Sequence, residues 1–549
     1  MWTCLWTVLA VLPALVHAAP RVTLRNGTYE GVHDASFNQD YFLGMPYATP
    51  PLGSLRYRNP VELETRWDGA RDAKAYSLSC VGYGLPGPEE QSEDCLTINV
   101  VRPASVSPRV KLPVAVWIYG GGYFTGSSSW PHYNFSDFVR ISQKYNTPLI
   151  AVSFNYRLAQ LGFLASQEVI DQRVANLGMK DQRLALRWIQ ENIAAFGGDP
   201  GKVTIWGESA GGFSVGQHML GWNGNSEGLF RSAICQSGGP FLDGSYRSLK
   251  YFEPQYKRYL NATGCSSAAD HLECLRALPL ATIQKVVEDL GQQEVWAMPV
   301  IDNVVMHELP SRRLKKGRFA KVPLLTGTTS DEAGAYLLNL GINTNEAFKQ
   351  FLRTPDNVEV YLSNKTIEKL ANAYPNDPKH QIPASFDITL PAPPPLYDQY
   401  KRVDTYHSDR TQIAPRRWTC QTWAAHKLPI YCYRFDTKPL TTPAYIGVAH
   451  FDDIPYVFGN TAGRGYEVNP FTGAPKRYFE LAEEMPRRWI AFIASGKPNA
   501  KDLPAWPTYG PLQHSLVFEG NATKSWVERD IFRKKGMDAL YSAADELLI

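Results

Sequence analysis

Unbalanced charge is nearly absent from this chain. Its 549 residues carry 56 lysines and arginines against 53 aspartates and glutamates, for a formal charge of +3. No basic stripe breaks that balance, so no nucleic-acid partner is expected. Long apolar runs are also missing, apart from one at the N-terminus. A helix needs about 20 apolar residues to cross a bilayer, so no stable membrane insertion is expected. No repeat of fixed period and no long biased tract occur. Clustered histidines and cysteines at metal-ligand spacing are lacking, so no metal is expected. Core material is not scarce: 44% of residues are hydrophobic and 12% aromatic.

Lysine and arginine are missing even ahead of the N-terminal run "MWTCLWTVLAVLPALVHAAP". The run is too short to span hydrocarbon but has the length of a signal segment. It ends in Val16-His17-Ala18, a small-residue cleavage pattern. The expectation is a signal peptide over residues 1–18, secretion, and one large domain over residues 19–549. Secretion permits disulfides. Of eight cysteines, Cys4 leaves with the signal and seven remain, so at least one is free unless two chains are bridged. Close spacing makes Cys80–Cys95 and Cys265–Cys274 the easiest closures. Cys235, in the buried-strand-like "RSAICQSGG", is the best candidate for an inert thiol. Cys420 and Cys432 are left either paired or reduced. Asn-x-Ser/Thr acceptors at Asn26, Asn134, Asn261, Asn364 and Asn521 fit the same compartment.

Short apolar runs alternate with helical periodicity. "KLPVAVWIYG", "TPLIAVSFNYRL", "DPGKVTIWG", "RSAICQSG", "KVPLLTGTT" and "PIYCYRF" read as strands. "MKDQRLALRWIQENIAAFG" reads as a long helix with Leu184, Leu186, Trp188 and Ile189 on one face. That alternation predicts an α/β fold with a central, mostly parallel sheet and helices on both sides. Asn343 to Leu370 is polar and helix-like, and Pro375 to Pro395 is proline-heavy loop.

Between the strand "KVTIW" and a helix-like run stands Gly207-Glu208-Ser209-Ala210-Gly211. G-x-S-x-G at a strand-to-helix turn is a nucleophile elbow, with small neighbours that permit a sharp bend and close approach. A hydroxyl needs a base to become nucleophilic, and the oxyanion it generates needs donors. Gly120, Gly121 and Gly122 follow a strand one crossover earlier. The N–H groups of Gly121 and Gly122 can join that of Ala210 as donors. The run lacks the lysine and spacing of a phosphate-binding loop. Asp331 and Glu332 follow "KVPLLTGTTS", and either can orient an imidazole. His450, in "TPAYIGVAHFDDIPYVFGN", is better placed as the base than His218 or His426, which fall in helix-like stretches. Tyr123, Phe124 and Trp130 beside the glycines are candidates for a substrate pocket, or equally for core and wall.

These segments resemble the type-B carboxylesterase family, which includes cholinesterases, neuroligin-like proteins, fungal lipases and sterol esterases. "SEDCLTINV", "VWIYGGGYFTG", "NLGMKDQRLALRWIQENIAAFGGDPGKVTIWGESAGG", "TGTTSDEAGAYL" and "GVAHFDDIPYVFG" carry the resemblance in order along most of the chain. It implies an α/β-hydrolase fold, with Ser209 as nucleophile, Glu332 as acid and His450 as base. Gly121, Gly122 and Ala210 become the oxyanion donors. It further implies Cys80–Cys95 and Cys265–Cys274 disulfides and a buried Glu93–Arg157 ion pair. Ala333 departs from the glycine that many members have after the acid. The presence of Ser209 disfavours a non-catalytic, neuroligin-like binding role.

The implied reaction is hydrolysis of a carboxylic ester through an acyl-serine, without a cofactor. Only fourteen residues separate Cys80 from Cys95, and four are acidic: Glu89, Glu90, Glu93 and Asp94. In the lipases of the family this loop is commonly longer and forms an apolar lid. Soluble small or medium esters are therefore expected, with a lipase or sterol esterase as the alternative. Capture of the acyl group by another acceptor, giving an acyltransferase or biosynthetic enzyme, is a further alternative. The sequence does not fix the oligomeric state.

Overall fold

Runs rich in valine, isoleucine and leucine that are only about five to eight residues long suit strands buried on both faces. They assemble here into one eleven-stranded sheet. In the computed structural model, residues 19–84, 90–107, 109–241, 249–295, 297–353, 362–377 and 394–548 are described. The expected signal segment lies outside them, as does most of the proline-heavy stretch.

In chain order the sheet strands are β1 (Val32–Asp34), β2 (Gln39–Pro46), β3 (Thr97–Pro103), β4 (Leu112–Ile118), β5 (Ile150–Phe154), β6 (Gly198–Glu208), β7 (Ser232–Gln236), β8 (Leu324–Thr329), β9 (Ile430–Asp436), β10 (His514–Glu519) and β11 (Trp526–Arg529). Their spatial order is β11-β10-β9-β8-β7-β6-β4-β5-β3-β2-β1. From β10 through β5 every neighbouring pair is parallel. The two margins are antiparallel. Those margins were not legible as such, because antiparallel edges need no helical crossover to announce them.

Each central strand ends in a turn that feeds the same edge of the sheet. Helix α1 (Ser136–Lys144) and helix α5 (Lys476–Ser495) form one layer, against β3, β4 and β6. Helices α2 (Leu177–Asn192), α3 (Ala210–Leu220) and α4 (Ala414–Ala425) pack on strands from β4 to β9. Helix α2 buries the four residues of its expected face, and α3 is buried along its whole length. Between the layers, Trp117, Trp206 and Phe458 pack ring against ring, with Trp117–Trp206 centroids 4.7 Å apart.

Three disulfides are present: Cys80–Cys95, Cys265–Cys274 and Cys420–Cys432. The last resolves the pair left open by the sequence, since Cys420 in α4 lies over Cys432 in the parallel strand β9. Cys235 is free and buried in β7, and burial pushes its thiol pKa well up, away from reactivity.

The ion pair expected between Glu93 and Arg157 is not formed. Glu93 instead receives a forked pair of bonds from Arg56, at 2.5 and 2.6 Å. Arg157 pairs with Asp181 in α2, again with two nitrogens, at 2.8 and 2.6 Å. Both arrangements are buried, and a fork-to-fork fit satisfies both carboxylate oxygens of each acid. Arg56 belongs to no motif that stands out along the chain, and Asp181 lies in a helix whose apolar face alone was read.

Candidate active site

Strand β6 delivers Ser209 to the start of α3. The serine has φ +55° and ψ −127°, a conformation that L-residues rarely adopt. Its N–H donates to Gln236 O at the end of β7, at 3.0 Å. The bend requires glycine on both sides. A Cβ on Gly207 would stand 2.4 Å from the Gly211 carbonyl carbon, and one on Gly211 only 1.9 Å from Ile118 O. Strain of this kind costs about 1–3 kcal/mol and persists only where the surroundings enforce it. The outcome is a half-buried hydroxyl at the lip of the sheet.

The glycine run leaves β4 alongside it. Gly121 and Gly122 take φ of +95° and +63°. Gly122 is exposed and Gly121 half-buried. Among the described residues, the N–H groups of Gly121, Gly122 and Ala210 make no hydrogen bond within the protein. The Gly121 carbonyl accepts from Phe124 N and Thr125 N, which fixes the turn.

Glu332 and His450 meet across the ends of β8 and β9. His450 Nδ1 lies 2.6 Å from Glu332 Oε2. The other oxygen of Glu332 accepts from Ser237 Oγ at 2.6 Å and from Thr329 N at 2.8 Å. The carboxylate is thus fully buried with both oxygens engaged. Asp331, the rival acid, faces elsewhere and accepts from Val448 N at 3.0 Å.

His450 Nε2 lies 3.1 Å from Glu208 Oε1. The Ser209 hydroxyl makes no hydrogen bond among the described residues, so no bond joins it to the imidazole, whose Nε2 faces the residue before it in the elbow. Glu208 is the residue that motif reading missed. It occupies the variable position of the elbow, and nothing in that spacing tells that its side chain turns toward the imidazole. Burial raises the Glu208 carboxyl to about 8, against the pull of His450 and with a push from Asp453. Burial also opposes a charge on His450. The carboxylates of Glu208 and Glu332, with Tyr336, outweigh it and hold the imidazole pKa well above its usual value. Asp453 accepts from Gln236 Nε2 at 2.7 Å and Tyr433 Oη at 2.8 Å, and burial lifts its carboxyl to about 6.

The aromatic candidates separate. Tyr123 is core: it is fully buried, with its ring 4.8 Å from Phe163. Phe124 is buried as well, and its carbonyl accepts from Tyr83 N at 2.8 Å. Trp130 is half-buried and stacks on Tyr133, which meets Phe451, the residue after His450, edge-on. Of the glycosylation candidates, Asn261, Asn364 and Asn521 are exposed. Asn26 spends its amide nitrogen on Leu63 O and Thr65 O, and Asn134 caps Ser136 N. Among the described residues no group of His, Cys, Asp and Glu side chains is arranged to hold a metal ion, and no helix is long and apolar enough to cross a membrane.

A sequence profile of the carboxylesterase family matches residues 18–535. The chain belongs to that family. With relatives that are lipases and an esterase, its class of activity is carboxylic-ester hydrolysis. The chain is 31% identical to Lipase 4 of Diutina rugosa, over 96% of each protein. It is 30% identical to para-nitrobenzyl esterase of Bacillus subtilis, covering 94% of this chain and 99% of that one. Among solved structures, Aspergillus niger EstA superposes with a TM-score of 0.83 at 29% identity, covering 97% of this chain and 99% of that one. The architecture is the α/β-hydrolase fold.

Proposed function

We propose that this protein is a secreted serine esterase that cleaves soluble esters of small or medium size through an acyl-Ser209 intermediate. The observations that support the reading are the 2.6 Å contact between His450 Nδ1 and Glu332 Oε2 and the strained elbow at Ser209. Glu332 fixes the proton on Nδ1, which leaves the Nε2 lone pair to accept the Ser209 proton as the hydroxyl oxygen attacks the ester carbonyl. Catalytic bonds of this type often form only once substrate is bound, and Nε2 engages Ser209 at that stage. The oxyanion receives the N–H groups of Gly121, Gly122 and Ala210, each such donor being worth roughly 3 kcal/mol. His450 then protonates the departing alcohol. It next deprotonates a water that releases the acid and restores Ser209. No step calls for a cofactor. The three disulfides support an oxidising compartment.

The Cys80–Cys95 loop bears on substrate size. Ser79 and Cys80 pair with Gln91 and Ser92, Gly82 N donates to Gln91 Oε1, and Tyr83 N donates to Phe124 O. A disulfide loop tied down at these points has little length left to serve as an apolar flap over a lipid surface. The lipase reading draws its support from the relatives that bear that name.

Initial rates on 4-nitrophenyl esters from acetate to palmitate, with and without emulsified triglyceride and beside Ser209→Ala, test the proposal. Short-chain preference without interfacial activation is expected. Long-chain preference with activation transfers the conclusion to a lipase. Serine labelling by a phosphonate without hydrolysis of any ester points to acyl transfer.

A further inference from the structure

The base stands on irregular chain. Strand β9 ends at Asp436, and only a short 3-10 turn, Ala444–Ile446, intervenes before His450. The residue after it, Phe451, has φ +79°. A planar ring held at Nδ1 by one carboxylate can still swing about that bond, so the backbone of this loop must be fixed from elsewhere.

The acid turn supplies the fixing point. Asp331 N donates to Val448 O at 3.0 Å, and Val448 N donates to Asp331 Oδ2, also at 3.0 Å. Two reciprocal bonds therefore join the residue before Glu332 to the residue two before His450. The acid turn is itself anchored. Thr329 N donates to Glu332, and Ala333 N donates to Ser408 Oγ at 3.0 Å. Ser408 in turn donates to Asp404 at 3.1 Å. Ser330 Oγ accepts from Arg434 at 2.9 Å and donates to Asp436 at 2.7 Å, which ties the turn back to β9. Within the histidine loop, Ala449 N donates to Asp452 at 2.8 Å, a bond that closes the turn around His450. Asp331 is 2% exposed, which excludes water as a ready substitute for its carboxylate.

We propose that Asp331 is a positioning residue: its backbone and carboxylate clamp Val448 and so set where His450 stands relative to Glu332 and Ser209. The inference rests on the serine-esterase reading. It also explains why two adjacent acids follow β8: one orients the ring, the other holds the loop that carries it. Asparagine at this position keeps an oxygen for the Val448 N–H, whereas alanine keeps none.

The test compares Asp331→Ala and Asp331→Asn with the wild type, each as the full chain. It reads kcat and KM on a soluble 4-nitrophenyl ester, the rate of Ser209 phosphonylation and the thermal midpoint. A displacement of about 1 Å at a catalytic group costs roughly 100-fold in rate. Asp331→Ala is therefore expected to lose about that factor in kcat and in phosphonylation rate, with KM changed little. Asp331→Asn is expected to recover most of it. Wild-type kcat in Asp331→Ala overturns the proposal, as does an asparagine variant as impaired as the alanine one. If Asp331→Ala does not fold, Asp331→Ser, whose side chain is too short to reach the Val448 N–H, replaces it. Failure of both to fold makes the residue structural and also overturns the proposal. Ser209→Ala and His450→Ala run alongside: unchanged hydrolysis in these would refute the esterase reading itself, a result separate from any of the Asp331 outcomes.

Discussion

Changing Glu332 to glutamine alters one atom and one charge, and it tests the orientation of the base. In the native site, Oε1 accepts from Ser237 Oγ and Thr329 N, while Oε2 faces His450 Nδ1 at 2.6 Å. The amide oxygen of glutamine can replace only one of these acceptors. Two donors already hold the Oε1 position, so the amide nitrogen falls opposite Nδ1. An NH2 cannot accept a proton from Nδ1–H, and the imidazole responds by carrying its proton on Nε2 instead. The lone pair then points away from Ser209, and the imidazolium formed in the transition state loses its counter-charge. The same change of tautomer in a Ser-His-Asp triad costs about 10⁴ in kcat. At 1.36 kcal/mol per tenfold, that is roughly 5.5 kcal/mol of transition-state stabilisation. The side chain keeps its shape, so the thermal midpoint should move by only a few degrees. The assay is kcat on 4-nitrophenyl butyrate beside a thermal melt. A loss of kcat below tenfold in a folded variant would refute the reasoning, since Glu332 would then not set the tautomer.

The remaining predictions concern pH and stability. With His450 as the proposed base, activity requires its neutral form, and kcat/KM should rise as pH climbs through its pKa. Burial lowers that pKa while Glu208, Tyr336 and Glu332 raise it, and the raising effects prevail. Removing the charge in Glu208→Gln should move the rising limb to lower pH, and a pH–rate profile with an unmoved limb would contradict the assignment. Burial opposes ionisation of Asp530, but Arg416 and Arg417 outweigh it and depress its carboxyl to about 2. The folded pKa lies below an unfolded value of about 3.9, so this group contributes on the order of 2–3 kcal/mol above that pH, lost as pH falls toward 2. Urea midpoints from pH 7 to pH 2 should show the loss, and Asp530→Asn, which leaves two buried guanidinium groups unpaired, should cost about 3–5 kcal/mol at neutral pH. Replacing Cys80 and Cys95 by alanine opens a loop with a sequence separation of 15. A closure of that length is worth about 3 kcal/mol, read as a lower melting temperature, and an unchanged melt would show that the loop is held by its other contacts.

Much of the fold was legible because parallel strands buried on both faces spell themselves out as short apolar runs. Val114 to Ile118 and Val203 to Trp206 are such runs, and each fell on an observed strand. The elbow was legible because a strained backbone demands glycine at fixed offsets, here Gly207 and Gly211. What stayed hidden depends on where side chains point across the sheet. The choice between Asp331 and Glu332 is one of direction, not chemistry, and only the resemblance favoured one. Glu208 reads as filler within its motif, yet it approaches the imidazole. The error over Glu93 and Arg157 has the same origin. Both residues are buried and each has a charged partner, but Arg56 and Asp181 come from distant segments that no spacing rule connects. Tyr123 could not be divided between pocket and core until the turn after Gly122 showed its ring packed on Phe163.

The central claim is that Ser209 is the nucleophile and His450 its base. Incubation with a fluorophosphonate, digestion and mass spectrometry of the peptides test it most directly. The account predicts one phosphonyl group per chain, on Ser209, with labelling abolished in Ser209→Ala and strongly slowed in His450→Ala. No adduct on the native protein, an adduct on another residue, or equal labelling in His450→Ala would contradict it.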